Sequence, residues 1–198
     1  MNPRINADDL LVRMQYTPNP LALKFVANQP FKNEGKATFS VAEEAGEWPM
    51  LRDLFTVSGI KQIHVFQNTI TVTHDGTLSE DELCENVTAV IRSRYELHDP
   101  NFVTEDEKGN SSGGRVQRAS HENPVLEKME EILDRTIRPG LQADGGDIEL
   151  VKLENDDLYI MYQGACGGCP SAMMGTLDAI QGILRHEMEN PELSVIPI

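Results

Sequence analysis

Positive charge is in short supply in this sequence. Lysine and arginine total 17 against 32 aspartates and glutamates, leaving a net charge of −15 over 198 residues. A surface of that sign repels phosphate backbones, which excludes nucleic acid as a partner of the whole surface and favours basic proteins. Cysteine is scarce as well. Three thiols are too few for a disulfide scaffold, so the chain fits a reducing compartment, where a Cys-x-x-Cys pair binds metal or does redox chemistry. No run approaches the roughly 20 apolar residues that span a bilayer, so no membrane partner is expected. Residues Met1 to Met14 include Asp8 and Asp9, and lack both the apolar stretch of a signal peptide and the acid-poor character of a transit peptide. The expected location is cytoplasmic.

The pattern that is present reads as α+β, in two small domains joined by a flexible linker. Residues 14–98 form the first. Tyr16-Thr17-Pro18-Asn19-Pro20 is stiff and turn-forming, and Leu21, Leu23 and Phe25 alternate behind it as a strand with one buried face. Lys36 to Val41 is a second strand, and a helix follows from Pro49 to Gly59. Ile60 to Phe66 and Thr69 to His74 form a hairpin around Gln67-Asn68, with Asn expected to take the positive φ. Ser79 and Glu82 have capping-box spacing for a helix running to about Leu97. The order is ββαββα, with the residues before Met14 a polar tail that packs at most as a short helix around Leu10, Leu11 and Val12.

Residues 99–123 are polar and aperiodic, the composition of a flexible linker, so the two halves are expected to behave as independent bodies. Residues 124–198 form the second domain, α-β-β-α-β. Pro124 opens a helix that should stop at Pro139-Gly140, and Asp144-Gly145-Gly146-Asp147 is a tight turn between that helix and a strand pair.

Two of the three cysteines fall in Gly164-Ala165-Cys166-Gly167-Gly168-Cys169-Pro170-Ser171, a glycine-rich turn running into a helix. Met173, Leu177, Ile180, Leu184 and Met188 recur as one apolar stripe of that helix. Pro170 suits a first helical position, which puts Cys169 near the N-cap, where the helix dipole favours thiolate. Both sulfurs then read as primed to bind a soft metal or attack a disulfide. Glycines and a helix start make a poor packing site for two structural thiols. A dithiol catalyst normally follows the first strand of a βαβ unit, and a zinc site needs four ligands. An iron–sulfur cluster also wants four thiolates, which two chains meeting on a two-fold axis would supply. Cys84 reads as a small buried hydrophobe, and His64 and His74 as solvated strand residues. His98, His121 and His186 read as incidental surface residues.

Leu141-Gln142-Ala143-Asp144-Gly145-Gly146-Asp147, followed by the CGGCPS loop, resembles the C-terminal domain of NifU and the Nfu proteins. Thr17-Pro18-Asn19-Pro20, Leu23-Lys24-Phe25, Leu54-Phe55, Gly59-Ile60-Lys61 and Ile70-Thr71-Val72-Thr73 are similar to the Nfu N-terminal domain. The resemblance implies a carrier, not an enzyme, that binds a [4Fe-4S] cluster between the two subunits of a homodimer through Cys166 and Cys169. A [2Fe-2S] cluster is the alternative. It further implies an upstream scaffold as donor and apo iron–sulfur proteins as acceptors. The cysteine-rich scaffold and ferredoxin parts of a full NifU have no counterpart here, and the matched motifs assign no job to the first domain.

Overall fold

The computed structural model describes residues 9–104, 123–167 and 170–198, apart from the side chains of residues 170–174. The first domain is organised by alternation along its strands. β1 (Val12–Tyr16), β2 (Ala22–Ala27), β3 (Lys36–Phe39), β4 (Ile60–Phe66) and β5 (Thr69–His74) form one antiparallel sheet in the order β1-β2-β5-β4-β3. Register aligns Leu23, Val72, Ile63 and Phe39 across it, and likewise Phe25, Ile70, Val65 and Ala37. These apolar rows lie on one face and are buried beneath α1 (Pro49–Leu54) and α2 (Glu80–Arg94), which contribute Met50, Leu51, Leu54, Leu83, Val87 and Ile91. Because successive strand residues point to opposite faces, the row between them is polar: Lys24, Thr71, His64 and Thr38.

β1 corrects the reading of the first residues as a tail. It is an edge strand paired to β2, with Val12 and Met14 half-buried against the first core and Tyr16 exposed. The domain is therefore βββαββα. The hairpin forms where expected, but Gln67 takes the positive φ, 50°, while the Asn68 side chain donates to Ala27 O at 2.8 Å. Order also continues past residue 98. Phe102 is buried in the first core, its ring 4.9 Å from that of Trp48, so the first six residues assigned to the linker include a core anchor. The remainder of that segment, 105–122, lies outside the described residues.

In the second domain Asn123 caps α3 (Pro124–Thr136) by accepting from Val125 N. The expected stop at Pro139-Gly140 is instead a second short helix, α4 (Arg138–Ala143), since a proline in a first turn has no N–H to lose. β6 (Gly146–Glu154) pairs antiparallel with β7 (Asp157–Gly164), and β8 (Ser194–Pro197) returns parallel to β7 after α5 (Pro170–Glu187). Leu126, Met129, Ile132 and Leu133 of α3 meet Ile180 and Leu184 of α5 over Ile148, Leu150, Leu158 and Ile160 of the sheet. The apolar stripe of the last helix is thus core, as far as its described side chains show.

The two domains pack on each other, which overturns the expectation of independent bodies. The polar face of the first sheet meets the Asp144–Asp147 turn and the end of β7. Composition of the linker misled here because docking depends on polar side chains of the domains and not on apolar surface in the segment joining them.

Candidate cluster-binding site

The cysteine loop leaves the sheet at Gly164, whose φ of +60° turns the chain out of β7. A side chain at Gly164 would meet Gly145 O at 2.5 Å and His64 at 3.1 Å, so glycine is required for backbone and packing alike. Gly164 faces Gly146 across the strand pair. At Gly146 a Cβ would stand 2.3 Å from Cys166 Sγ, so the sulfur occupies room that only a glycine leaves. Cys166 N donates to Gln163 O at 3.3 Å and Gly167 N to Gly164 O at 3.0 Å, giving the loop its turn.

Cys166 is half-buried, and its thiol is pushed up to about 12, first by burial and then by Asp147 and Asp144, with Lys36 opposing them. This favours the protonated thiol at Cys166, against the expectation that this sulfur is primed. The cause is burial first, and then the acidic turn that Cys166 faces. Cys169, like Gly168, lies outside the described residues. Cys84 packs against the first core, in keeping with a small hydrophobe.

Asp147 was read as half of a tight turn and is instead the centre of an ion cluster. It is fully buried, and accepts from Arg138 Nε at 2.9 Å and from its neighbour Ile148 N at 2.7 Å. Lys36 of the first domain stands 3.0 Å from its other oxygen. Burial alone would raise the Asp147 carboxyl, but Lys36 and Arg138 outweigh it and hold the group below the usual range. Arg138 also pairs with Glu130 and Asp134. No spacing rule joins residues 36, 130, 138 and 147, so sequence reasoning had no signal for this cluster.

His64 and His74 are buried, not solvated. His64 Nδ1 shares a hydrogen bond with Thr38 Oγ1 at 2.9 Å, and its Nε2 has no partner. Burial, with Lys36 adding to it and Asp147 opposing, lowers its pKa to about 4. On an isolated first domain the sheet's polar face would be wet, and the docked second domain is what dries it. His98 is also tied down, its Nε2 2.6 Å from Phe31 O, while the side chain of His186 is 87% exposed. His121 lies outside the described residues.

Comparison with known proteins bears on both domains. A family model described as the NifU-like domain matches residues 129–196, and one described as the scaffold protein Nfu/NifU N terminal matches residues 12–98. The chain belongs to the Nfu type. The N-terminal match precedes the NifU-like one along an α+β chain, and together they cover more than three quarters of it. "NifU-like protein 5, mitochondrial" of Arabidopsis thaliana is 29% identical over 89% of this chain and 64% of its own length. The human "NFU1 iron-sulfur cluster scaffold homolog, mitochondrial" is 29% identical over 92% of this chain and 70% of its own. The chain thus spans somewhat under two thirds of the length of the plant relative. A solution structure of a NifU-like protein from Saccharomyces cerevisiae aligns with 49% of this chain and 88% of its own at 13% identity and a TM-score of 0.43, too low to bear on the fold.

These names correct the cytoplasmic expectation. Relatives from plant and human are called mitochondrial, which points to the mitochondrion and away from the cytoplasm. The composition of fourteen residues and a low cysteine count were weak guides, since any compartment that keeps thiols reduced gives the same signal.

Proposed function

We propose that this Nfu-type chain is an iron–sulfur cluster carrier that holds a [4Fe-4S] cluster between two copies of itself, through Cys166 and Cys169 of each, and hands it to apo-proteins. A relative named as an iron–sulfur cluster scaffold supports the class of cargo. The observation that carries the reading is the setting of Cys166: a half-buried sulfur in the space left by Gly146, on a glycine loop, with backbone around it. Among the described residues no group of three or more His, Cys, Asp or Glu could hold a metal ion. Two thiols per chain then leave a four-thiolate cluster to be completed by a second copy.

The cargo brings cationic iron, which displaces the thiol protons and binds the resulting thiolates. The chain's own part is to hold the sulfurs, keep the loop shaped and yield its ligands one at a time to an acceptor with better-placed thiolates. That exchange needs no acid or base from the protein, so the carrier has no turnover chemistry. A dithiol catalyst fits less well, because the cysteine loop follows the second strand of an antiparallel pair and not the first strand of a βαβ unit.

Anaerobic reconstitution with iron and sulfide, followed by iron, sulfide and mass determination and then by incubation with an apo iron–sulfur protein, tests the proposal. One cluster per dimer and its transfer are expected, with Cys166→Ser and Cys169→Ser losing the iron and keeping the circular dichroism of the fold. A full complement of iron in either variant would show the ligand assignment to be wrong. Bound iron of two-iron stoichiometry would replace the [4Fe-4S] cluster by a [2Fe-2S] one.

A further inference from the structure

The first domain's contacts with the second converge on the main chain of the cysteine loop. Gln62 Oε1 accepts from Gly164 N at 2.9 Å, and Thr73 Oγ1 donates to Gly164 O at 3.3 Å. At the other side of Cys166, Asn19 Nδ2 donates to Gly167 O at 2.6 Å. Asn19 is itself fixed. It is 1% exposed, its Oδ1 accepts from Leu21 N at 2.9 Å, and its own N donates to Thr17 Oγ1 at 3.2 Å. Pro18 and Pro20 on either side restrict the backbone further, so the amide reaches the loop in one orientation. The stiff Thr-Pro-Asn-Pro turn thereby acquires a task that its place at the start of the chain does not suggest.

We infer that Asn19 and Gln62 are positioning residues of the cysteine loop: by holding Gly164 and Gly167, the main-chain points that bracket Cys166, they set the loop's shape and through it the lifetime of the bound cargo. The part concerning cargo rests on the carrier reading above. A loop with glycines at 164, 167 and 168 has much backbone freedom to lose on binding, and clamps that remove that freedom beforehand leave less to lose when the cluster arrives. Releasing the clamps lets the loop visit more shapes, which exposes the Cys166 sulfur and speeds loss of the cluster. The same two residues explain why the domains are joined in one chain: the second domain carries the sulfurs and the first holds them in place.

The test uses the full-length chain and three substitutions. Asn19→Asp keeps the acceptor for Leu21 N but removes the donor to Gly167 O. Gln62→Leu removes the acceptor for Gly164 N, whereas Gln62→Glu retains it. Without cluster, alkylation of Cys166 by iodoacetamide is followed by peptide mass mapping, so that Cys84 serves as an internal control. Loss of one hydrogen bond predicts Cys166 labelling about fivefold faster in Asn19→Asp and Gln62→Leu, with Gln62→Glu at the wild-type rate and Cys84 unchanged. With cluster, loss of iron to a chelator should accelerate by a similar factor in the same two variants. Wild-type labelling in both would show that there is no clamp, and should Asn19→Asp not fold, the Gln62 pair decides alone. Faster labelling with an unchanged cluster lifetime would overturn the link to cargo while leaving the carrier reading intact. A wild-type chain that takes up no cluster would overturn the carrier reading, and the cargo link with it, while the labelling still decides whether the loop is clamped.

Discussion

Lys36 Nζ lies 3.0 Å from Asp147 Oδ2, so a cation on the first sheet completes an ion cluster buried in the second domain. Asp147 is wholly buried, whereas the Lys36 side chain keeps 30% of its exposure, and this asymmetry separates what each contributes. Removing the aspartate leaves the buried Arg138 with Glu130, Asp134 and the Ile148 carbonyl. Removing the lysine leaves the aspartate still paired with Arg138.

Asp147→Asn is therefore expected to lower stability by about 3 kcal/mol, the lower end of the cost of breaking a buried ion pair. Lys36→Met, at a partly solvated position, should cost only about 1 kcal/mol. Urea unfolding of the full chain at pH 7 measures both. An Asp147→Asn variant that unfolds at the wild-type midpoint would show that the cluster contributes nothing.

His64 makes stability depend on pH. Its folded pKa of about 4 lies below the ordinary value of 6.5, so between these the unfolded chain takes up a proton that the folded chain refuses. Stability should fall by about 3 kcal/mol as pH drops from 6.5 to 4, and be fully present above 6.5. Burial is the main cause, with Lys36 reinforcing it and Asp147 opposing. Asp147 does not confuse this window, because its carboxyl is held below the usual range and its share is lost only at still lower pH. Denaturation midpoints of wild type and His64→Gln across pH 7 to 4 check the sign: the variant's slope should be shallower, with a remainder from His98, which burial also pushes down.

Gly146→Ala should empty the site without a cavity or a charge change. Its Cβ would fall 2.3 Å from Cys166 Sγ and 2.7 Å from Cys166 N, so the loop has to move. Most of the bound iron should be absent after reconstitution. Gly182→Ala is the matched control, since nothing lies within 4 Å of a Cβ there, and it should reconstitute like wild type.

What could be read ahead of the structure was local. The Ser79–Glu82 capping box forms as its spacing implies, and the alternation at Leu23 and Phe25 turns inward as expected. The glycine-rich setting of Cys166 was visible because it is written in consecutive residues. β1 was not visible although Val12, Met14 and Tyr16 alternate, because the run is five residues long and adjoins Leu10 and Leu11, which with Val12 also fit a short helix. His64 was misjudged since its burial comes from a domain more than sixty residues along the chain, and a strand's outward positions look alike whether water or protein covers them. Asp147 was taken for a turn residue because its partners Lys36 and Arg138 are brought to it only by the fold.

The seat for the cysteine loop also has a place in time. Domains fold as units, and those nearer the N-terminus leave the ribosome first. Phe102, the last anchor of the first core, is made well before Gly164, so Asn19 and Gln62 are already in position when the loop emerges. The main chain on either side of Cys166 then emerges beside the side chains that hold it. With the domains in the opposite order, Gly164 and Gly167 would wait unheld while Asn19 and Gln62 were still being translated.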